Sequence, residues 1–176
     1  MSGLVIGPDD LSRAAVQALL SEHLEDMYAT SPPESVHALD LDALRAPDIS
    51  FYSAWDGETL LGCGALRDLG YGHLEIKSMR AARDQRGRGT GAAILRHLLD
   101  EAVRRGGVRI SLETGVEPYF EPARRLYLRH GFVECPPFGD YLPDPNSVFM
   151  TRELPAQRRT VPGASGGVQS HWSHGR

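Results

Sequence analysis

The sequence predicts an α/β fold with about seven strands, on three observations. Short runs rich in β-branched and aromatic residues recur with turn residues between them. Other segments repeat apolar residues at i, i+3 and i+4, the spacing of a helix with one buried face. The clearest of these carries Ile94, Leu95, Leu98, Leu99, Ala102 and Val103, and it starts directly behind a glycine-rich loop, Arg86-Gly87-Arg88-Gly89-Thr90-Gly91.

Each element follows in order along the chain. Leu4 to Ile6 reads as a short strand, turned by Pro8-Asp9-Asp10; Asp10 or Ser12 can then cap a helix running to about Tyr28. Ser31-Pro32-Pro33-Glu34 breaks that helix, and a short one spans Leu39 to Leu44, stopped near Pro47. Phe51–Trp55 and Leu60–Leu66 read as strands joined by a turn at Asp56-Gly57. Leu74 to Arg80 alternates, with Leu74 and Ile76 on one face and Glu75, Lys77 and Met79 on the other. Arg105-Gly106-Gly107 stops the helix behind the glycine loop, and Val108–Glu113 is the next strand. Pro118 to His130 is helical, ended by Gly131; Phe132-Val133 and Ser147–Leu154 are the last strands. After Pro155 the chain has no periodicity, so residues 1–154 are expected to form one domain and 155–176 a disordered tail. A His171/His174 pair there is a poor metal site for the same reason.

Composition narrows the function classes. The 176 residues suit one domain with a sizeable core, and 41% hydrophobic with 24% charged residues is ordinary for a globular protein. Cys63 and Cys135 make no metal-ligand spacing and no disulfide scaffold, so no metal is expected. A net charge of −4 argues against a general nucleic-acid surface. There is no leader-like start and no long apolar run, so no membrane partner is expected and a cytoplasmic location is the default. Residues 1–48 hold nine acids against Arg13 and Arg45, either a solvated helix face or a rim that attracts a cationic amine.

The glycine loop carries the chemistry. Unpaired backbone N–H groups at a helix start, with the positive end of its dipole, make a phosphate cradle. Glycines let the chain approach the anion, and Arg86 and Arg88 add charge at its edge. An ATP or GTP loop would end in G-K-[ST], which the chain lacks. A dinucleotide fingerprint fits Gly87, Gly89 and Ala92, with Glu113 further on. Its first glycine should abut a buried strand, however, and the polar stretch Ala81 to Arg86 intervenes. The third pattern is R-x-x-G-x-G, spelled by Arg86, Gly89 and Gly91.

That third pattern resembles the pyrophosphate-binding motif of the Gcn5-related N-acetyltransferase (GNAT) family. Two more stretches match in the right order: Ala123 to Phe132 is similar to the family's A-x-x-L-Y-x-x-x-G-F helix, and Leu74 to Ala81 occupies the place of the strand before the loop. The resemblance covers nearly everything up to Leu154. It implies a mixed, mostly antiparallel central sheet with helices on both faces, and acetyl-CoA as acetyl donor.

The resemblance also implies roles. The main chain at Met79, Arg80 and Ala81 would hold the pantetheine arm. The amides of Arg86, Gly87, Arg88, Gly89, Thr90, Gly91 and Ala92 would hold the pyrophosphate. Tyr127 would sit beside the sulfur and protonate the leaving thiolate; without the resemblance it reads as a core aromatic. Glu75 occupies the strand position of the family's glutamate base; it could equally be paired with Lys77 or Arg109, and Glu113 is the rival base, with His73 third. A backbone N–H near Met79 could polarise the carbonyl oxygen. The chain departs from the family at Phe120, where many members carry Asn.

Acceptor contacts are implied at Met27, Ser31, Glu113, Phe138 and Tyr141, with His37 a surface or cap residue more often than a ligand. The expected function is transfer of an acetyl group to a primary amine of a small molecule, directly, in a ternary complex. A peptide or protein N-terminal acetyltransferase and a non-catalytic acetyl-CoA-binding module are the alternatives. A homodimer is compatible with all of these.

Overall fold

The computed structural model describes residues 3–157. Residues 158–176, with most of the expected tail and both of its histidines, lie outside them. The described chain orders its elements as β1 (Leu4–Pro8), α1 (Ala14–Thr30), α2 (Leu41–Leu44), β2 (Ile49–Asp56), β3 (Thr59–Asp68), β4 (His73–Ala81), α3 (Thr90–Arg104), β5 (Arg109–Gly115), α4 (Glu121–Arg129), β6 (Val133–Glu134) and β7 (Ser147–Glu153). The strands form one sheet in the order β1-β2-β3-β4-β5-β7-β6. Every neighbouring pair is antiparallel except β4 and β5. The mixed, mostly antiparallel seven-stranded sheet expected from the resemblance is therefore present.

Helices cover both faces because the strands alternate. On one face α3 buries Ile94, Leu95, Leu98, Leu99 and Ala102 against Leu74, Ile76, Ile110 and Leu112, with Tyr127 and Phe132 completing the cluster. On the other, α1 and α2 bury Val16, Leu19, Leu20 and Leu44 against Phe51, Cys63 and Ala65. Each large aliphatic side chain so buried contributes roughly 1.5–3 kcal/mol.

Several boundaries differ from the sequence reading. α1 starts later and runs further, with Arg13 at its cap position and no side-chain cap bond. Asp10 instead accepts the Ser12 N–H and hydroxyl, so both candidate caps are used up in the turn before the helix. Asp40 does cap α2, accepting the Ala43 N–H at 2.8 Å. The segment from Pro118 divides into a 3-10 turn, Pro118–Phe120, and α4.

The larger correction lies in β4. Lys77 pairs with Ala65 and Arg80 with Cys63, so Ser78 and Met79 together face Gly64. This is a β-bulge, with Ser78 in the left-handed region at φ 51 and its carbonyl accepting the Cys63 thiol at 3.3 Å. One extra residue reverses the alternation. Met79, expected beside Glu75 and Lys77, packs instead with the α3-side cluster.

Candidate active site

β4 and β5 pair only from His73–Glu75 to Arg109–Ser111, whereas β5 pairs with β7 along seven residues. Beyond Glu75 the two parallel strands no longer pair, and a cavity of about 610 Å³ opens between them. Ile76 to Ala81 form one wall and Leu112 to Gly115 the other. The α1 segment with His23, Met27 and Ser31 closes one side, and α4 with Ala123, Leu126 and Tyr127 closes the opposite one.

At one end the wall is the glycine loop. Arg86, Gly87, Gly89, Gly91 and Ala92 line it; of the other two loop residues expected there, Arg88 is exposed and Thr90 is buried beneath. Gly87 (φ 74) and Gly89 (φ 82) both adopt the left-handed region, where any Cβ would be strained. Apart from the adjoining residues of the chain, no protein atom lies within 4 Å of where either Cβ would stand. No side chain caps α3, so its first amides face the cavity unpaired. Successive free amides at a helix start fit an anion such as a pyrophosphate.

Midway along the cavity stands Tyr127, 6% exposed. Burial, then the nearby Glu113 carboxylate, push its phenol above the usual tyrosine range. Phe120, at the position where the resemblance implied Asn, also lines the wall. A Cβ on Gly115 would stand 2.2 Å from the Phe120 ring, so this apolar wall exists because residue 115 is glycine.

The far end is polar. Glu113 lines it and accepts the Ser147 hydroxyl at 2.8 Å. Burial pushes the Glu113 carboxyl up from its ordinary value, against the pull of Ser147, His37 and Lys77; Glu75 pushes with it. Glu75 does not line the cavity. It is 1% exposed, accepts the Tyr141 hydroxyl at 2.5 Å and faces the Lys77 ammonium at 3.6 Å. Lys77 donates to Tyr141 at 2.8 Å and to the His37 carbonyl at 3.0 Å. Of the expected acceptor residues, Met27, Ser31 and Glu113 line the cavity; Phe138 and Tyr141 stand behind it in an aromatic group with His37, His73 and Phe149. His73 bonds Ser111 at 2.7 Å, away from the cavity wall.

The acidic first segment has a structural use. Glu22 and Asp26 of α1 bind the buried Arg80 guanidinium at 2.9 and 2.6 Å, and both also pair with Arg83. Asp26 further accepts the Tyr119 hydroxyl at 3.2 Å, and Arg86 donates to that same hydroxyl. These carboxylates therefore fasten α1 to β4 and the loop instead of facing an acceptor. In the sequence only their i, i+4 spacing sets Glu22 and Asp26 apart from the other seven acids. His23, Tyr119 and Asn146 line the cavity without any sequence signal beyond their neighbourhood.

The comparisons decide the family. Residues 16–132 match the Acetyltransferase (GNAT) family. The chain belongs to the GNAT acetyltransferases. This GNAT chain is 53% identical to the uncharacterised N-acetyltransferase YsnE of Bacillus subtilis, over 83% of its own length and 97% of that relative. It is 41% identical to an IAA acetyltransferase of Azospirillum brasilense, over 82% and 93%. A solved Klebsiella pneumoniae structure provisionally assigned as an acyl-CoA N-acyltransferase superposes at a TM-score of 0.71 with 26% identity, covering 88% and 99% of the two chains. A GNAT acetyltransferase from Elizabethkingia anophelis, solved with acetyl-CoA bound, shares the fold at 0.62 and 16% identity, covering 88% and 100%. The GNAT chain is thus an acyltransferase enzyme of a family that uses acetyl-CoA as donor. Among the described residues no helix is long and apolar enough to cross a membrane, and no group of three His, Cys, Asp or Glu side chains could hold a metal ion.

Proposed function

We propose that this enzyme transfers the acetyl group of acetyl-CoA directly to the primary amine of a small molecule, with both substrates held in the cleft at once. One observation carries the reading: a single cavity runs from the uncapped start of α3, past Tyr127, to Glu113. The pyrophosphate sits on the amides from Arg86 to Ala92. The pantetheine arm lies along β4 at Met79 to Ala81, where the strand is unpaired on its β5 side and can bond an extended ligand. That arm delivers the thioester beside Tyr127 and leaves the polar end for the acceptor.

Glu113 is the base. It lines the cavity, and its raised pKa suits it to take a proton from an ammonium near neutral pH. The freed amine nitrogen attacks the thioester carbonyl carbon, the C–S bond breaks with its electron pair on sulfur, and the departing thiolate takes up the surplus proton of the nitrogen, giving the amide and free CoA. Tyr127 stabilises that thiolate by hydrogen bonding. Full proton transfer from a phenol raised above about 10 to a thiolate whose conjugate thiol has a pKa near 8.5 is uphill, so the stabilisation is partial. Glu75 holds Lys77 beside Glu113 and touches no substrate.

A small acceptor is favoured over a peptide by the far end's closure. Ser35 donates to Asp144 at 3.1 Å, Asn146 donates to Ser35 at 3.2 Å, and His37 approaches Asp144 at 3.7 Å. Together with the Lys77 bonds to His37 and Tyr141, they tie the α1–α2 connection to the loop before β7 at the acceptor end. A thiol-release screen over polyamines, amino acids, amino sugars, peptides and the compound naming the Azospirillum relative tests this. Release with compact amines is expected. Turnover with peptides alone overturns the acceptor class, and acetyl-CoA binding without release under any acceptor overturns catalysis.

A further inference from the structure

We propose that Arg129 binds the 3′-phosphate of CoA and makes the enzyme discriminate CoA from its 3′-dephosphorylated form. This rests on the reading that the cavity takes acetyl-CoA. CoA carries two separated anionic groups, the pyrophosphate and a phosphate on the adenosine ribose. The amides of the glycine loop suit the first and leave the second without a partner.

α4 supplies three arginines, and two are engaged. Arg124 donates to the carbonyls of Gly115 and Glu117 at 2.6 and 3.1 Å. Arg125 pairs with Glu121 at 2.6 Å. Arg129 lines the cavity, is exposed, and has no ion pair or side-chain hydrogen bond among the described residues. Its direction follows from helix geometry. Leu126, three residues earlier and on the same face, comes within 3.4 Å of where a Cβ on Gly91 would stand. Arg129 therefore emerges one turn further along the side of α4 that faces the start of α3, at the rim of the phosphate cradle. The other cavity-lining arginine of that rim, Arg86, is drawn the opposite way, to Tyr119 and Asp26. A guanidinium with free donors at the mouth of an anion cradle matches a terminal phosphate, to which it can bond through two N–H groups.

Titration calorimetry with CoA and with 3′-dephospho-CoA, at low ionic strength because the site is exposed, tests the assignment on the wild type and on Arg129→Gln, Arg129→Lys and Arg88→Gln. The wild type is expected to prefer CoA by about tenfold. Arg129→Gln should lose most of that preference while binding dephospho-CoA within about twofold of wild type, which also reports that the variant is folded. Arg129→Lys should keep part of it. A wild type without preference, a preference that survives Arg129→Gln, or one erased by Arg88→Gln in its place overturns the proposal while leaving the cofactor reading intact. Failure of the wild type to bind either compound overturns both.

Discussion

Glu75 and Lys77 stand two residues apart on β4, both buried, with their charged ends 3.6 Å apart and the Tyr141 hydroxyl bonded to each. Such a carboxylate is committed to its partners. Lys77 is positioned by it, and both charges act on the neighbouring Glu113, Lys77 lowering its pKa and Glu75 raising it.

Glu75→Gln should therefore act first on stability. It leaves a buried ammonium without its counter-charge, a change that costs about 3–5 kcal/mol when a buried pair is broken from one side. Urea denaturation reads this directly. An unchanged midpoint together with a lost acidic limb in the pH–rate profile would return the base to Glu75.

Glu113→Gln should show the opposite pattern. Its raised pKa means that the folded protein holds the proton more tightly than the unfolded chain. Stability thus falls as pH rises through the unfolded and then the folded pKa. Glutamine removes that loss, so the variant should be no less stable than wild type at pH 8. Activity should drop by roughly a hundredfold or more, and the acidic limb, which in the wild type lies above the ordinary glutamate range, should vanish. Wild-type rates in Glu113→Gln would exclude it as the base.

Tyr127→Phe should keep acetyl-CoA affinity and lower kcat by about tenfold, less than the roughly 10²–10⁴ of a full general acid, because the phenol's raised pKa limits it to hydrogen bonding. Steady-state kinetics separate the two parameters. An unaltered kcat would make Tyr127 a packing residue.

The element order was fully legible, because apolar spacing and turn residues act locally. What escaped the sequence were features set by pairing between distant residues. The bulge at Ser78 depends on its register with Gly64, and Ser is not a residue that advertises a positive φ. That single insertion moved Met79 across the sheet. The choice between Glu75 and Glu113 was open for a similar reason. Both lie on adjacent strands with similar neighbours, and only the contact with Tyr141, 66 residues away, separates a buried ion pair from a cavity-lining carboxylate.

His23 gives the protein a second pH dependence. Burial, then the charge of Arg80, lower its pKa to about 4. The folded state thus binds fewer protons than the unfolded chain between about pH 6.5 and 4, and stability is lost as pH falls through that window. Linkage puts the loss at about 2 kcal/mol by pH 5. His23→Gln should flatten this part of the profile in denaturation series at pH 7.5 and 5. An equally steep loss in the variant would assign it elsewhere.

Gly91→Asp tests the central claim, that the start of α3 holds the pyrophosphate of acetyl-CoA, most directly. Gly91 has an ordinary helical backbone and only one side-chain neighbour near its Cβ, so a substitution there is tolerated. An acid in the first helical turn favours the helix dipole, so the melting temperature should hold or rise. The same carboxylate occupies the anion's place and repels it. Calorimetry should find acetyl-CoA affinity reduced at least tenfold, about 1.4 kcal/mol, in a protein that is no less stable. Unchanged affinity in that folded variant would contradict the account.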